Sequence, residues 1–142
     1  MIFSAQQILS DDQAVTATAI SENVIDLGAP ATPYGAAAAI PQDIGKGTKI
    51  PFTFVVTAAF ATLTSLTITL EVSAAAALTT PTVLHTQTIA VADLIVGKRL
   101  TIDIVPNDAN LRYLGARYTV TGSNATAGTI TAGISMGSQT NV

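Results

Sequence analysis

The segment "SLTITLEVS", residues 65–73, sets Leu66, Ile68, Leu70 and Val72 on one side and Thr67, Thr69 and Glu71 on the other. A strict period of two is the signature of a β-strand with one face in a core and the other facing away from it. The pattern recurs. "PFTFVVTA" turns Phe52, Phe54 and Val56 inward, "RLTIDIV" turns Leu100, Ile102 and Ile104 inward, and "TITAGI" does the same with Ile130, Ala132 and Ile134. "QAVTATAI" and "NVIDLG" supply two weaker strands, and "PTVLHTQTIAV" alternates less cleanly. Between these segments lie "GAPATP", "IGKG", "VPNDAN" and "TGSNATAG", rich in the residues that favour turns. No stretch sustains a helical period. The alanine runs at 36–39 and 74–77 are too short to nucleate a helix, and Pro81 closes off the second, so both read as turns or loops.

About eight short strands that each hide one face have to hide it against one another. The fold class expected is all-β, a single-domain antiparallel β-sandwich or jelly roll spanning residues 1–142. Residues 1–10 are expected as an N-terminal arm and 28–48 as a long irregular loop, of the kind that carries function or takes shape on a partner.

Only 11% of the residues are charged, against roughly 25% in an ordinary soluble domain, and the net charge is −3. With 22 Thr and 24 Ala, much of the exterior has to be neutral, and a weakly charged exterior favours association with neighbours. Six basic residues against nine acidic ones leave no footprint for nucleic acid. No apolar run is long enough for a bilayer-spanning helix, and the N-terminus lacks the pattern of a secretory signal. The expectation is therefore no nucleic acid, no membrane and no secretion by that route. Without that route, the triplet "NAT" at 124–126 carries no weight as a glycosylation site.

The sequence offers little catalytic chemistry. There is no cysteine, which removes disulfides, thiolate metal sites and cysteine nucleophiles. The single histidine, His85, sits in a strand-like "LHTQT", where a structural role outweighs that of a base lacking a visible nucleophile and acid. The nine carboxylates are scattered and fit no calcium-loop pattern. "IGKGTK" has glycines around Lys46 without the spacing of a phosphate-binding loop, and reads as a turn. No cofactor and no enzymatic activity are expected. A cupin-like metal enzyme on the same fold would need several histidines. A carbohydrate- or ligand-binding jelly roll, the alternative from another class, would be expected to show aromatic platforms, yet the chain has no Trp, three Tyr and four Phe.

Several segments together resemble the jelly-roll capsid cement, or head decoration, proteins of tailed bacteriophages: "NVIDLG" (23–28), "DIGKGT" (43–48), "LTITLEV" (66–72), "RYLGARYTVTG" (112–122) and "TAGTITAGI" (126–134). They occur in the order of that family and cover most of the chain from about residue 11. The resemblance implies a structural virion protein, made in the host cytoplasm, that binds the outer surface of the assembled capsid. It implies a homo-oligomer, a dimer or trimer, that clamps neighbouring subunits of the major capsid protein. This chain departs from the pattern at Gly115, where a polar or basic residue often follows "RYL", and in a longer segment at 29–42.

The expected core is Phe52, Phe54, Leu66, Ile68, Leu70, Val72, Leu100, Ile102, Ile104, Leu114, Tyr118, Val120 and Ile130. The expected contacts with partner proteins are Ile2 and Phe3 in the N-terminal arm, Tyr34 and Ile40 in the long loop, and Tyr113 and Arg117. For Phe3 the competing reading is that the N-terminus folds back onto its own core. In "NLRYLGARYTV" parity turns Leu114, Ala116, Tyr118 and Val120 inward, with the Tyr118 hydroxyl seeking a backbone partner. Tyr113 and Arg117 point outward, an exposed aromatic beside an exposed arginine, a mix enriched at interfaces. Arg112 is expected to lay its stem over the core and pair with a loop acid or carbonyl.

Overall fold

In a computed structural model, residues 2–137 are described. The described residues form seven strands: β1 (Phe3–Ala14), β2 (Ala19–Ile20), β3 (Ile25–Asp26), β4 (Phe52–Ser73), β5 (Thr82–Ala90), β6 (Arg99–Ile102) and β7 (Tyr113–Ser135), with one 3-10 turn at Val91–Asp93. All pairings are antiparallel. The architecture is the expected all-β one, with two strands far longer than the alternation implies.

Those two strands, β4 and β7, pair along their whole length, from Phe52 opposite Ile134 to Ser73 opposite Tyr113. The register slips four times between Val56 and Ser65, so the ribbon bends in its middle. Each end then belongs to a different layer. The first half of β4 lies between β6 and the second half of β7, which in turn pairs with β1. The second half of β4 lies between β5 and the first half of β7, which pairs with β2 and β3. The layers face each other: the Phe54 ring of one meets the Tyr118 ring of the other edge-on, with centroids 6.5 Å apart.

"TGSNATAG", expected as a turn between strands, is instead the bend inside β7. Its glycines serve the bulges. Gly122 and Gly128 adopt positive φ, and a Cβ at Gly128 would overlap the Phe60 ring. The two expected strands at 52–57 and 66–72 are likewise one strand, because Thr62 takes a left-handed conformation and carries the chain through the bend.

Most of the expected core is buried, including Phe52, Phe54, Leu66, Ile68, Leu70, Val72, Ile102, Leu114, Tyr118 and Ile130, with Leu100 and Val120 partly buried against it. Ile104 is the exception, at 46% exposed. The Phe52 to Ile102 pair is the last of the β4 to β6 ladder, so β6 ends there and the chain turns away. Val105, of the opposite parity, is the residue that becomes fully buried.

The N-terminal segment is not a free arm. Phe3–Ala14 pairs with β7 from Ser135 to Thr129, through three register shifts that erase any alternation from its sequence. Residues 28–48 are irregular as expected, tied by the isolated bridges Ala31 to Ile40 and Ile44 to Ala109. The alanine runs fall in bends and turns.

Truncating Ile68 to Ala removes a fully enclosed side chain and is expected to cost about 2–5 kcal/mol in denaturant unfolding. Ile104→Ala is expected to change stability by less than about 0.5 kcal/mol. Equal losses at the two positions would contradict this division of the core.

Candidate contact surface

The segment 110–120 contributes three different environments. Tyr118 is fully buried. Its hydroxyl lies 2.7 Å from Ser10 Oγ, which donates to Gln13 Oε1 at 2.7 Å, so the Tyr118 proton goes to Ser10. The partner is thus a side chain of β1 in the opposite layer, not the backbone. Burial pushes the Tyr118 pKa well above its usual value, the Ser10 hydrogen bond opposing and the Glu22 charge reinforcing the rise.

Arg117 points away from the core, as parity requires, but it is not free. Its Nε donates to Glu71 Oε2 at 3.0 Å and Oε1 at 3.2 Å, and Nη2 donates to the Leu78 carbonyl at 2.8 Å. Glu71 is 3% exposed and also accepts from Thr69 Oγ1 at 2.6 Å. The burial comes from the loop after β4, which returns over this face. Ser73 Oγ donates to the Thr79 carbonyl, and Leu78, in a left-handed conformation, packs over Gly115. A Cβ at Gly115 would sit 2.9 Å from Leu78 Cδ1 and 3.0 Å from Val24 Cγ1, which explains glycine where the resemblance leads one to expect a polar side chain. Arg117 is therefore an internal strut, committed to Glu71 and Leu78, rather than the exposed contact expected for it.

Arg112 pairs with an acid as expected, but the acid belongs to β3 rather than to a loop, and Arg112 itself is exposed. It forks onto Asp26, Nε to Oδ1 at 2.9 Å and Nη2 to Oδ2 at 2.8 Å, and its guanidinium lies 5.0 Å from the Tyr113 ring centre. Tyr113 is half-buried beneath it, its outer face occupied by that cation. The Arg112 hydrogen bond, helped by the Gly28 amide, holds the Asp26 carboxyl down at about 2.

The other expected contact residues lie elsewhere. Ile2 is 67% exposed, its carbonyl accepting from Met136, an exposed residue that sequence reasoning passed over. Phe3 is half-buried in β1 near Gly133, in line with an N-terminus that folds back. Tyr34 and Ile40 share one small structure. Ala31 and Ile40 exchange both backbone hydrogen bonds, and the Ala36 amide donates to the Pro33 carbonyl at 3.0 Å. This closes a turn with Tyr34 and Gly35 in the middle, Gly35 at φ +80° as a type II turn demands at that place. Tyr34 is fully exposed at the tip and Ile40 is 57% exposed at the base. The structure thus joins Tyr34 to Ile40 and Ile2 to Met136, and it removes Arg117 from the surface set.

His85 is half-buried in β5. Among the described residues no three His, Cys, Asp or Glu come together as a metal site would require. No helix among them is long and apolar enough to cross a membrane.

The chain matches the family model of Bbp16 over residues 9–134, nearly its whole length, and it belongs to the Bbp16 family. Among curated proteins there is no match.

Arg117→Ala is expected to destabilise by about 3 kcal/mol, because it leaves a buried carboxylate alone. Arg112→Ala, at an exposed and solvent-screened pair, is expected to cost much less. Comparable losses in thermal unfolding would refute the distinction. Since the folded Asp26 pKa is depressed, the Arg112 contact is at full strength above the ordinary carboxylate range and is lost as pH falls through about 2. Carboxyl NMR titration is expected to find Asp26 near that value, and to find it returning toward the ordinary value of 3.8 in Arg112→Ala.

Proposed function

We propose that this protein is a capsid cement protein: a non-catalytic virion component that binds the outer surface of an assembled head as a homo-oligomer and braces contacts between major capsid protein subunits. The observation that carries the reading is Tyr34, presented without cover at the tip of a turn that is already hydrogen-bonded. An aromatic held in place before binding loses little freedom on docking, and anchors of this kind dominate interface energies. The uncharged exterior supports the same reading, since it offers little repulsion to close packing against neighbours. So do the five segments that resemble decoration proteins, which lie within or overlap the region matched by the Bbp16 family model.

Repeated copies on a shell need only modest affinity each, because contacts made by an oligomer reinforce one another. The experiment mixes purified protein with expanded heads lacking it and measures saturable binding and heat resistance. Binding is expected, and Tyr34→Ala is expected to weaken it by about 2 kcal/mol or more while leaving the unfolding midpoint unchanged. Heads that neither bind the protein nor gain resistance would refute the proposal.

A further inference from the structure

The sandwich has an open seam on one side, and it is built differently from the rest of the surface. The strand β5 ends one layer and β6 ends the other. Neither makes a backbone hydrogen bond on its outer side to another described segment. Along Thr82–Ala90, β5 has no charged residue and no proline, the usual devices that keep an edge from pairing with another chain. Its one bulge lies near Leu84, whose carbonyl accepts from Asn107, leaving residues 85–90 regular.

Between β5 residues 87–90 and residues 98–100 of the β6 edge runs a groove of about 280 Å³. Ile89 and Leu100 form its apolar floor, and they also border a void of about 10 Å³ between the layers, room for about one water or methyl group. Its rim is basic. Lys98 and Arg99 face Asp93, so +2 against −1 leaves +1 in a chain whose net charge is −3. Arg112 and Arg117 are spent on Asp26 and Glu71, whereas neither Lys98 nor Arg99 forms an ion pair with a described residue.

We propose that this seam binds an extended acidic segment of a partner protein, which adds a strand to the outer edge of β5. Alternate residues of such a strand face the same way. Small aliphatic side chains would cover Ile89 and Leu100, while carboxylates at the rim would meet Lys98 and Arg99. Backbone pairing supplies the affinity and the alternating side chains the selectivity. The inference does not rest on the capsid reading: a failure to bind heads leaves the seam experiment standing, and the reverse holds too.

The probe is a labelled short peptide alternating valine with aspartate, added to the full chain and followed by fluorescence anisotropy. Saturable binding is expected, weakened about tenfold or more by the double variant K98E/R99E and unchanged by K46E/K49E. Methylating alternate amides of the peptide is expected to abolish binding, since that removes the backbone pairing. Three results would overturn the proposal: no saturable binding, equal binding of a valine and lysine peptide, or equal loss with K46E/K49E. A concentration-dependent dimer that K98E/R99E dissociates would assign the seam to a second copy of the chain and overturn it as well.

Discussion

The bent ribbon of β4 and β7 is the element on which the remaining strands depend. Every other strand pairs with one of these two. A flat ribbon of 22 or 23 residues would carry an apolar stripe along one face with nothing to cover it. Bending it between Val56 and Ser65 turns that stripe upon itself, so Phe54 of one end meets Tyr118 of the other. The bend needs backbone that ordinary residues resist, and it is supplied by Gly122 and Gly128 together with Thr62 at positive φ. Thr62 is held there by its hydroxyl, which donates to the Asn124 carbonyl at 2.7 Å and accepts from the Thr126 amide at 3.1 Å. The two strands thus hold each other's irregular segments in place.

A second dependence runs through the buried pair. The loop 74–81 leaves β4 and returns over the outer face of its own layer. Without a tie it would leave Glu71 to water and Gly115 uncovered. Arg117 joins the two, reaching Glu71 on one strand and the Leu78 carbonyl on the loop. A buried ion pair of this kind seldom adds much net stability, because desolvation offsets the attraction. Its consequence here is geometric: a long side chain with donors in a fixed fork fixes where the loop lies over the sheet.

Legibility in the sequence followed the range of the interactions. Alternation is local, and it identified the inward faces of β4 and the parity of Tyr118 correctly. Arg117 also had the right parity, but parity reports direction and not cover, and the cover comes from a loop some forty residues away in sequence. The N-terminal strand was invisible because its three register shifts break the alternation. Glycines at 122 and 128 read as a turn because the same backbone freedom serves turns and bulges, and only the continuous pairing of β7 separates the two uses. Ile104 failed because a strand's end is set by where its partner stops. Of the exposed apolar side chains, Tyr34 and Ile40 were legible in an irregular, proline-rich stretch, while Met136 was not, since its exposure depends on where β7 ends.

The allocation of charge ties the fold to what its surface can do. Two of the three arginines are spent on ion pairs within the chain, Arg117 at a half-buried position and Arg112 at the surface. The third, Arg99, stands with Lys98 beside two unpaired strand edges. In a crowd of neutral hydroxyl and methyl groups a pair of cations opposed by one carboxylate, Asp93, still leaves the local potential positive. A sparsely charged exterior therefore does two things at once. It lets large areas approach a neighbour without repulsion, and it makes the few remaining charges decisive for which neighbour is accepted and in what register.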